Sequence, residues 1–391
     1  MTLAGVLGLV LIVVIAALVT LQTDWGRERV RLLALGRLRG MVNGRVDVAR
    51  IRGDFLNGIA LEGVSITGPA GEPLLDVGRF GVQYDLQGLL RREILLGEVV
   101  LEKPRILLVQ DAAGQWNYER ILPFLAPKEQ PEPEVPGGWG SVVRLSELRI
   151  SEGSVGIRTV QPGRGFGPLG SAVELAELTG KVDLEIANRG GENRRRFGAE
   201  DVSFVLASPR LAVRELDARA EITPERVKLE RFLFRTASTE LAGEGEVREM
   251  TKTPVLDLTF RADPLTLSDV RPFVPAMPAL EGRLSGGVKL EGPSDSLGVT
   301  LQDLALATAR SRMTADGRVL VAATPVVDAR VELAPLDPED ARAVYPAYPL
   351  EEPLRATLAS RGARERMEID GRLAFGTTEA TVAGTVGYPE A

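Results

Sequence analysis

The residues best suited to chemistry are three carboxylates in residues 335–349, PLDPEDARAVYPAYP: Asp337, Glu339 and Asp340. Neighbouring carboxylates can act as general acid and base, or can hold a hard cation. Acidic side chains are also favoured in the first turn of a helix, where they interact with the helix dipole. We therefore predict that these three acids mark the start of a helix, in preference to a hydrolytic pair.

The composition removes most other catalytic chemistry. The chain has 391 residues and contains neither histidine nor cysteine. This excludes Ser-His-Asp and Cys-His nucleophiles, thiolate-bound zinc and histidine-ligated iron. No Walker loop, dinucleotide fingerprint or nucleophile elbow occurs, and the glycine-rich stretch 163–170 (GRGFGPLG) precedes no clear buried helix. We predict a protein that is not an enzyme, with no catalytic residues, cofactor or metal.

The overall charge disfavours a nucleic-acid partner. The net charge is −7 and the isoelectric point is near 5.2, whereas nucleic-acid binders carry a basic patch. The one dense arginine run lies in residues 188–198, NRGGENRRRFG. We predict a solvated hairpin tip there, with contact to an anionic lipid or a partner as the alternative.

An apolar run lies at the start of the chain, from Leu3 to Leu21, and the first charged side chain is Asp24. About 20 apolar residues are needed to cross a bilayer, whereas a cleaved signal peptide has a shorter apolar centre. We predict an uncleaved transmembrane anchor at 1–23, with a signal peptide as the alternative. Five arginines follow within residues 27–39, and the positive-inside rule alone would place the bulk of the chain in the cytoplasm.

Residues 24–44 are predicted to form a juxtamembrane helix. Their apolar side chains lie roughly along one stripe and the arginines lie mainly elsewhere. This pattern fits an amphipathic helix on the membrane surface, or a plain connecting helix.

From Arg45 onward the apolar residues alternate with polar ones, as in KVDLEIA (181–187) and VLDLTFRA (255–262). This period of two predicts strands with one apolar and one polar face, arranged mainly antiparallel. We place turns at 315–317 (Ala-Asp-Gly) and 370–371 (Asp-Gly), a Pro/Glu-rich linker or loop at 126–140, and a second loop at 161–171. Such faces can pack into a sandwich, wind into a solenoid or curl into an open groove, and alternation does not separate the three.

Several stretches carry a family resemblance. They are GDFLNGIALEGV (53–64), LLRREILLGEVVLEKPRILL (89–108), the D-x-x-G-x-W-N pattern at 111–117 and DLTFRADPLTLSDVRPFVPAMPALEGRLSGGVKLEG (257–292). In this order, after an apolar start, they resemble the AsmA-like and TamB proteins of Gram-negative envelopes. The resemblance implies that Pro104 marks a bend at a sheet edge or a bulge, and that Trp116 caps one end of the sheet.

The resemblance also implies a fold and a location. The expected fold is mainly β: one elongated, curled antiparallel sheet, a taco-like groove of short repeats, after one N-terminal transmembrane helix. Residues 45–125 would form an N-terminal unit. Residues 141–391 would form the continuing groove repeats, which the resemblance implies are cut short at the C-terminus relative to the family. The chain would be anchored in the inner membrane with its bulk in the periplasm.

The implied function is carriage of phospholipids along an apolar groove toward the outer membrane. The alternative is a scaffold or chaperone for outer-membrane proteins, with an outer-membrane barrel of the Omp85 type as partner. A carbohydrate-acting solenoid enzyme would need a carboxylate cluster on one face. The side chains predicted to line the groove are Val82, Tyr84, Leu101, Leu184, Leu258, Val288, Leu290, Val331 and Leu333.

Overall fold

A computed structural model describes most of the chain: residues 29, 40, 42–53, 57–91, 93–123, 142–160, 165–189, 192–250, 252–274 and 277–387. The prediction of a mainly β protein is confirmed. The predicted anchor (1–23), most of the juxtamembrane segment and the Pro/Glu-rich linker (126–140) lie outside the described residues. Within the described part of the chain, no helix has the length and apolar character needed to cross a membrane.

The chain divides into two compact units, residues 1–210 and 211–391. Among the residues of unit 1 from 42 onward that the structure describes, there are two short helices, α1 (Leu86–Leu90) and α2 (Asn117–Ile121), and eight strands. The strands are β1 (Arg45–Gly53), β2 (Gly58–Thr67), β3 (Pro73–Tyr84), β4 (Ile94–Glu102), β5 (Arg105–Gln110), β6 (Val142–Thr159), β7 (Ala172–Arg189) and β8 (Glu192–Leu206).

The sheet is mainly antiparallel, as predicted, with one parallel neighbour in unit 1. Strand β6 runs parallel to β4 and β5, from the Ile94↔Val143 pair to the Gln110↔Thr159 pair. Parallel neighbours need a long crossover connection. The chain from 111 to 141, which includes α2, provides that connection, and the local alternation of residues carries no information about it.

Strands β4 and β5 form one strand that is interrupted at Lys103 and Pro104. Both halves keep the same register with β6, and β3 pairs with both on the other side. Lys103 has a φ of 54° and Pro104 is buried. Pro104 therefore lies at a break inside the sheet across which the register is unchanged, and the predicted edge position is wrong.

Lys103 belongs to a row of residues with left-handed backbone, the bulge line. Its other members lie in β2, β6, β7 and β8: Gly63, Glu152, Glu177 and Asp201. A residue with left-handed backbone turns the side chains that follow it to the other face of the strand, and the pairing registers of β2 with β3 and of β4 and β5 with β6 are unchanged across the line. The apolar residues of the strands change parity at this line, from Val77 to Phe80 in β3 for example, and both belong to one hydrophobic cluster. The bulge line thus keeps the apolar residues on one face.

Unit 2 contains eleven described strands, each antiparallel to its neighbours in chain order. Helix α3 (Leu267–Val270) continues into a 3₁₀ turn at Arg271–Phe273, and α4 spans Pro338–Val344. The strands are β9 (Leu211–Ile222), β10 (Arg226–Arg235), β11 (Glu240–Arg248), β12 (Val255–Thr266), β13 (Arg283–Pro293), β14 (Leu297–Ala307), β15 (Arg312–Val321), β16 (Val326–Leu336), β17 (Leu354–Ala363), β18 (Arg366–Phe375) and β19 (Thr378–Val386).

Both turns predicted within unit 2 are wrong. Residues 315–317 lie inside β15 and residues 370–371 lie inside β18. Gly317 has a φ of 140°, and a Cβ there would lie 2.3 Å from the carbonyl oxygen of Asp328 on β16. Glycine at this position permits a close approach of two backbones within the sheet, which is the other common role of a strand glycine.

Candidate functional site

The sheet of unit 2 has one apolar face, traced by residues that pair directly across neighbouring strands. Leu258 pairs with Leu290, and Leu290 with Val299, across β12, β13 and β14. Val299 pairs with Val319, and Val319 with Val327, across β14, β15 and β16. Directly paired residues share a face of the sheet, so these side chains form one continuous apolar row.

The structure brings the sequence-predicted residues of unit 2 onto this face. Val288 lies two positions from Leu290 on β13, and Val331 pairs with Ala315 next to the Met313↔Leu333 pair. In unit 1, the apolar partners are Val99 for Val82, Phe80 for Leu101, and Leu145 for Leu184. Tyr84 follows Val82 by two residues on β3. In each unit, the predicted groove residues that belong to it therefore lie on one face of the sheet.

All nine residues are half-buried, neither enclosed nor fully exposed. In a sandwich, the inner face of each sheet is enclosed at the packing density of a protein core. Among the described residues, the large side chains with almost no exposure are Ile121 of α2 and Val77 of β3, which belong to one hydrophobic cluster in unit 1. Of the residues that pair with the nine, Val99, Ala315 and Ala356 are buried, whereas the nine themselves retain partial access to solvent.

The opposite face carries charges paired across strands. In unit 2, Arg235 on β10 bridges Glu215 and Glu240 at 2.8 and 3.0 Å, and Lys289 on β13 lies 3.4 Å from Asp257. In unit 1, Arg149 lies 3.0 Å from Glu98. Exposed pairs of this kind contribute little stability, about 0–1 kcal/mol each. Their main effect is to keep one face hydrated while the other stays apolar.

The carboxylates of residues 337–340 begin α4, as predicted. Asp337 is the N-cap, and its carboxylate accepts a 2.9 Å hydrogen bond from the backbone N–H of Glu339. Arg310 lies within ion-pairing distance of Asp337, Glu339 and Asp340. All three carboxylates therefore have partners within the protein, which fits a structural role.

Asp340 has a second role that its position in the sequence did not indicate. Its buried carboxylate accepts hydrogen bonds from Thr308 Oγ1 at 2.5 Å and Ser311 Oγ at 2.6 Å, both in the β14–β15 turn. Burial opposes ionisation, but the hydrogen bonds from Ser311 and Thr308 and the charge of Arg310 outweigh it. The pKa of the Asp340 carboxyl is therefore held below its usual value.

The same arrangement, a helix carboxylate that accepts hydrogen bonds from two hydroxyls of a turn, occurs earlier in unit 2, and we call it a clasp. The carboxylate of Asp269 in α3 accepts hydrogen bonds from the hydroxyls of Thr236 at 2.7 Å and Thr239 at 2.8 Å, in the β10–β11 turn. The sequence signal is short: TAST at 236–239 corresponds to TARS at 308–311, and VPAMP at 274–278 to YPAYP at 345–349. The alternation analysis missed this spacing because the helices and turns fall between the periodic strands.

Three further predictions have structural outcomes. Arg189 at the end of β7 pairs with Glu192 at the start of β8, so the predicted hairpin is confirmed, but residues 194–196 lie within β8 and not at the tip. The predicted loop at 161–171 contains a 3₁₀ turn, Gly167–Leu169. Trp116 stacks on Tyr118, with ring centroids 6.3 Å apart, and precedes α2.

Comparisons of this chain with protein-family models, with curated proteins and with solved structures find no match in any of the three.

Proposed function

We propose that this protein carries phospholipids along its apolar sheet faces toward the outer membrane. The observation that supports the proposal is the two-faced sheet: half-buried apolar side chains on one face, in both units, and paired charges on the other. Acyl chains would lie on the apolar face, curled into a groove, while the head groups remain in water.

The energy of such binding comes from the hydrophobic effect. Burial of apolar surface contributes roughly 25 cal/mol per Å², or about 0.8 kcal/mol per methylene group. Contacts with Leu and Val side chains are not directional, so a lipid acyl chain can move from one strand to the next with little change in free energy. This property suits transport better than tight, specific binding.

The location is part of the proposal. The apolar run from Leu3 to Leu21 supports a single inner-membrane anchor, and the family resemblance supports a periplasmic position for the rest of the chain. No enzymatic step and no cofactor belong to this function.

A photo-crosslinking experiment on the full chain in Gram-negative cells tests the proposal. Benzoylphenylalanine would replace Val288 or Leu290 on the apolar face, and Lys289 between them on the charged face. The adducts would be identified by mass spectrometry after ultraviolet irradiation. We expect phospholipid adducts at 288 and 290 and none at 289. Equal lipid labelling at all three positions, or none at 288 and 290, would contradict the proposal.

A second candidate function is a scaffold for outer-membrane proteins, with an Omp85-type barrel as partner. Strand β19 pairs with β18 and with no other described strand, and it carries a single charged residue, Glu379. The edge of a strand that carries few charges can accept a further strand by β-augmentation. With the same crosslinker at Thr381, a protein adduct in the absence of lipid adducts at 288 and 290 would favour this candidate.

A further inference from the structure

Unit 2 repeats one loop structure after its two helices. Rim loop 2 spans Arg342–Leu350 and includes the last three residues of α4. The guanidinium of Arg342 donates a 3.0 Å hydrogen bond to the carbonyl of Leu350. Rim loop 1 spans Arg271–Leu280, of which the structure describes 271–274 and 277–280, and Arg271 donates to the carbonyl of Leu280 at 3.1 Å. The same residue types thus close both loops.

Each rim loop is also fixed to the sheet. Asp269, just before rim loop 1, accepts hydroxyl hydrogen bonds from the β10–β11 turn, and Asp340, just before rim loop 2, accepts them from the β14–β15 turn. Buried hydrogen bonds to a charged group are stronger than neutral ones. The two clasps hold the rim loops in fixed positions relative to the strand ends.

Both loops lie at the same rim of the unit 2 sheet. Strands β10, β12, β14 and β16 run in one direction, because each is separated from the next by one antiparallel strand. The clasped turns and helices all follow the ends of these four strands. The two loops are four strands apart, which corresponds to about 19 Å at the usual strand spacing.

The apolar face reaches this rim as a continuous row of half-buried residues. Leu284 pairs with Leu265 on one side and with Leu306 on the other, and Met313 pairs with Leu306 and Leu333. The row crosses the five strands β12–β16, whose ends at this rim carry the two helices and their loops. A ligand on the apolar face at this row would be adjacent to the rim.

The rim loops expose apolar side chains that the fold does not use. Val344 and Tyr345 are 60% and 61% exposed, and Val274, the counterpart of Tyr345, is 41% exposed. A tyrosine has an apolar ring and a polar tip, and it is favoured where an apolar region meets water. Pro346 follows Tyr345 and restricts the loop backbone.

We propose that rim loop 2 is the place where phospholipid acyl chains enter and leave the apolar face of unit 2. The inference rests on the proposed function, since it assigns a step of lipid transfer to these residues. Exposed Val and Tyr side chains would shield an acyl chain from water as it passes the rim. They would lower the barrier to entry without adding to the affinity of the face itself.

The test measures the rate of lipid loading. The full chain would be mixed with phosphatidylethanolamine/phosphatidylglycerol vesicles that contain a phospholipid with a diazirine in its acyl chain. Lipid-labelled protein would be quantified after flashes at increasing times. The rim variant is Val344→Ser with Tyr345→Ser. The matched control is Val321→Ser with Val326→Ser, two exposed valines at the opposite rim, 52% and 39% exposed.

We expect the rim variant to load about tenfold more slowly than the natural chain and to reach the same final labelling, because two apolar contacts are lost during passage only. The control variant should load at the natural rate, and Tyr345→Phe, which keeps the ring, should remain fast. If the rim variant loaded lipid at the rate of the natural chain, the inference would be overturned and the proposed function would still stand. Absence of loading in the unmodified chain would contradict the proposed function itself, and the rim inference with it.

Discussion

At the scale of single residues, the carboxylates that first suggested catalysis hold the fold together. Asp340 lies in the first turn of α4, where its sequence position indicated a favourable interaction with the helix dipole. Its hydroxyl partners Thr308 and Ser311 come from a turn about 30 residues earlier. That pairing depends on the tertiary fold, so the sequence predicted the helix start and not the clasp.

The clasp leads to a prediction about stability. Asp340→Asn removes the charge and retains the shape, and we expect it to lower the free energy of unfolding of unit 2 at neutral pH by about 1–3 kcal/mol. Glu339→Gln is the matched control one residue away. The Glu339 side chain is 66% exposed, so Glu339→Gln should change the free energy of unfolding by no more than about 0.5 kcal/mol. Chemical denaturation followed by circular dichroism measures both.

The difference in stability between the natural chain and the Asp340→Asn variant should depend on pH. The pKa of Asp340 is lowered in the folded protein, so its stabilisation is complete above the unfolded-state pKa of about 4. It is lost as the pH falls further, through the lower pKa of the folded state. The stabilities of the natural chain and of Asp340→Asn should therefore converge at low pH. A constant gap down to that range would show that the charge of Asp340 is not the cause.

At the scale of elements, alternation predicted the strands and their apolar faces well. It failed where glycine or a bulge has a role inside a strand. Gly317 was assigned to a turn because it follows an aspartate, yet it permits close backbone contact between β15 and β16. The bulge line in unit 1 shifts the apolar parity of neighbouring strands at Gly63, Lys103 and Glu152, and a period-two analysis treats such shifts as noise. The parallel partner of β4 follows from a crossover that has no local signal.

Gly317 gives a prediction at this scale. Gly317→Ala places a Cβ about 2.3 Å from the carbonyl oxygen of Asp328 and requires a φ that side chains disfavour. We expect a loss of about 2–4 kcal/mol in the stability of unit 2. Gly384→Ala in β19 is the control, since its Cβ would meet nothing within 4 Å, and it should be neutral or slightly stabilising. Equal effects of the two variants on the unfolding midpoint would contradict the assigned role of Gly317.

At the scale of the whole molecule, each unit carries an amphipathic sheet, with apolar rows on one face and cross-strand ion pairs on the other. A protein that encloses its core leaves few large side chains half-buried in this regular way. The sequence predicted which residues share the apolar faces, since parity within a strand is local. It did not predict what remains uncovered, because coverage depends on elements distant in the chain, such as α2, whose Ile121 belongs to the same hydrophobic cluster as Val77.

The most direct test of the central claim is the number of phospholipids that co-purify with the full chain from a Gram-negative host, measured by quantitative lipid mass spectrometry. The test variant is Val288→Asp with Leu290→Asp, which places two charges on the apolar face. The control is Thr259→Asp with Thr300→Asp, which places two charges on the opposite face beside Lys289.

We expect several phospholipids per natural chain, a similar number for the Thr259/Thr300 variant, and a large loss for the Val288/Leu290 variant while its circular dichroism spectrum remains unchanged. A natural chain free of phospholipid, or equal lipid content in both variants, would contradict the proposed function.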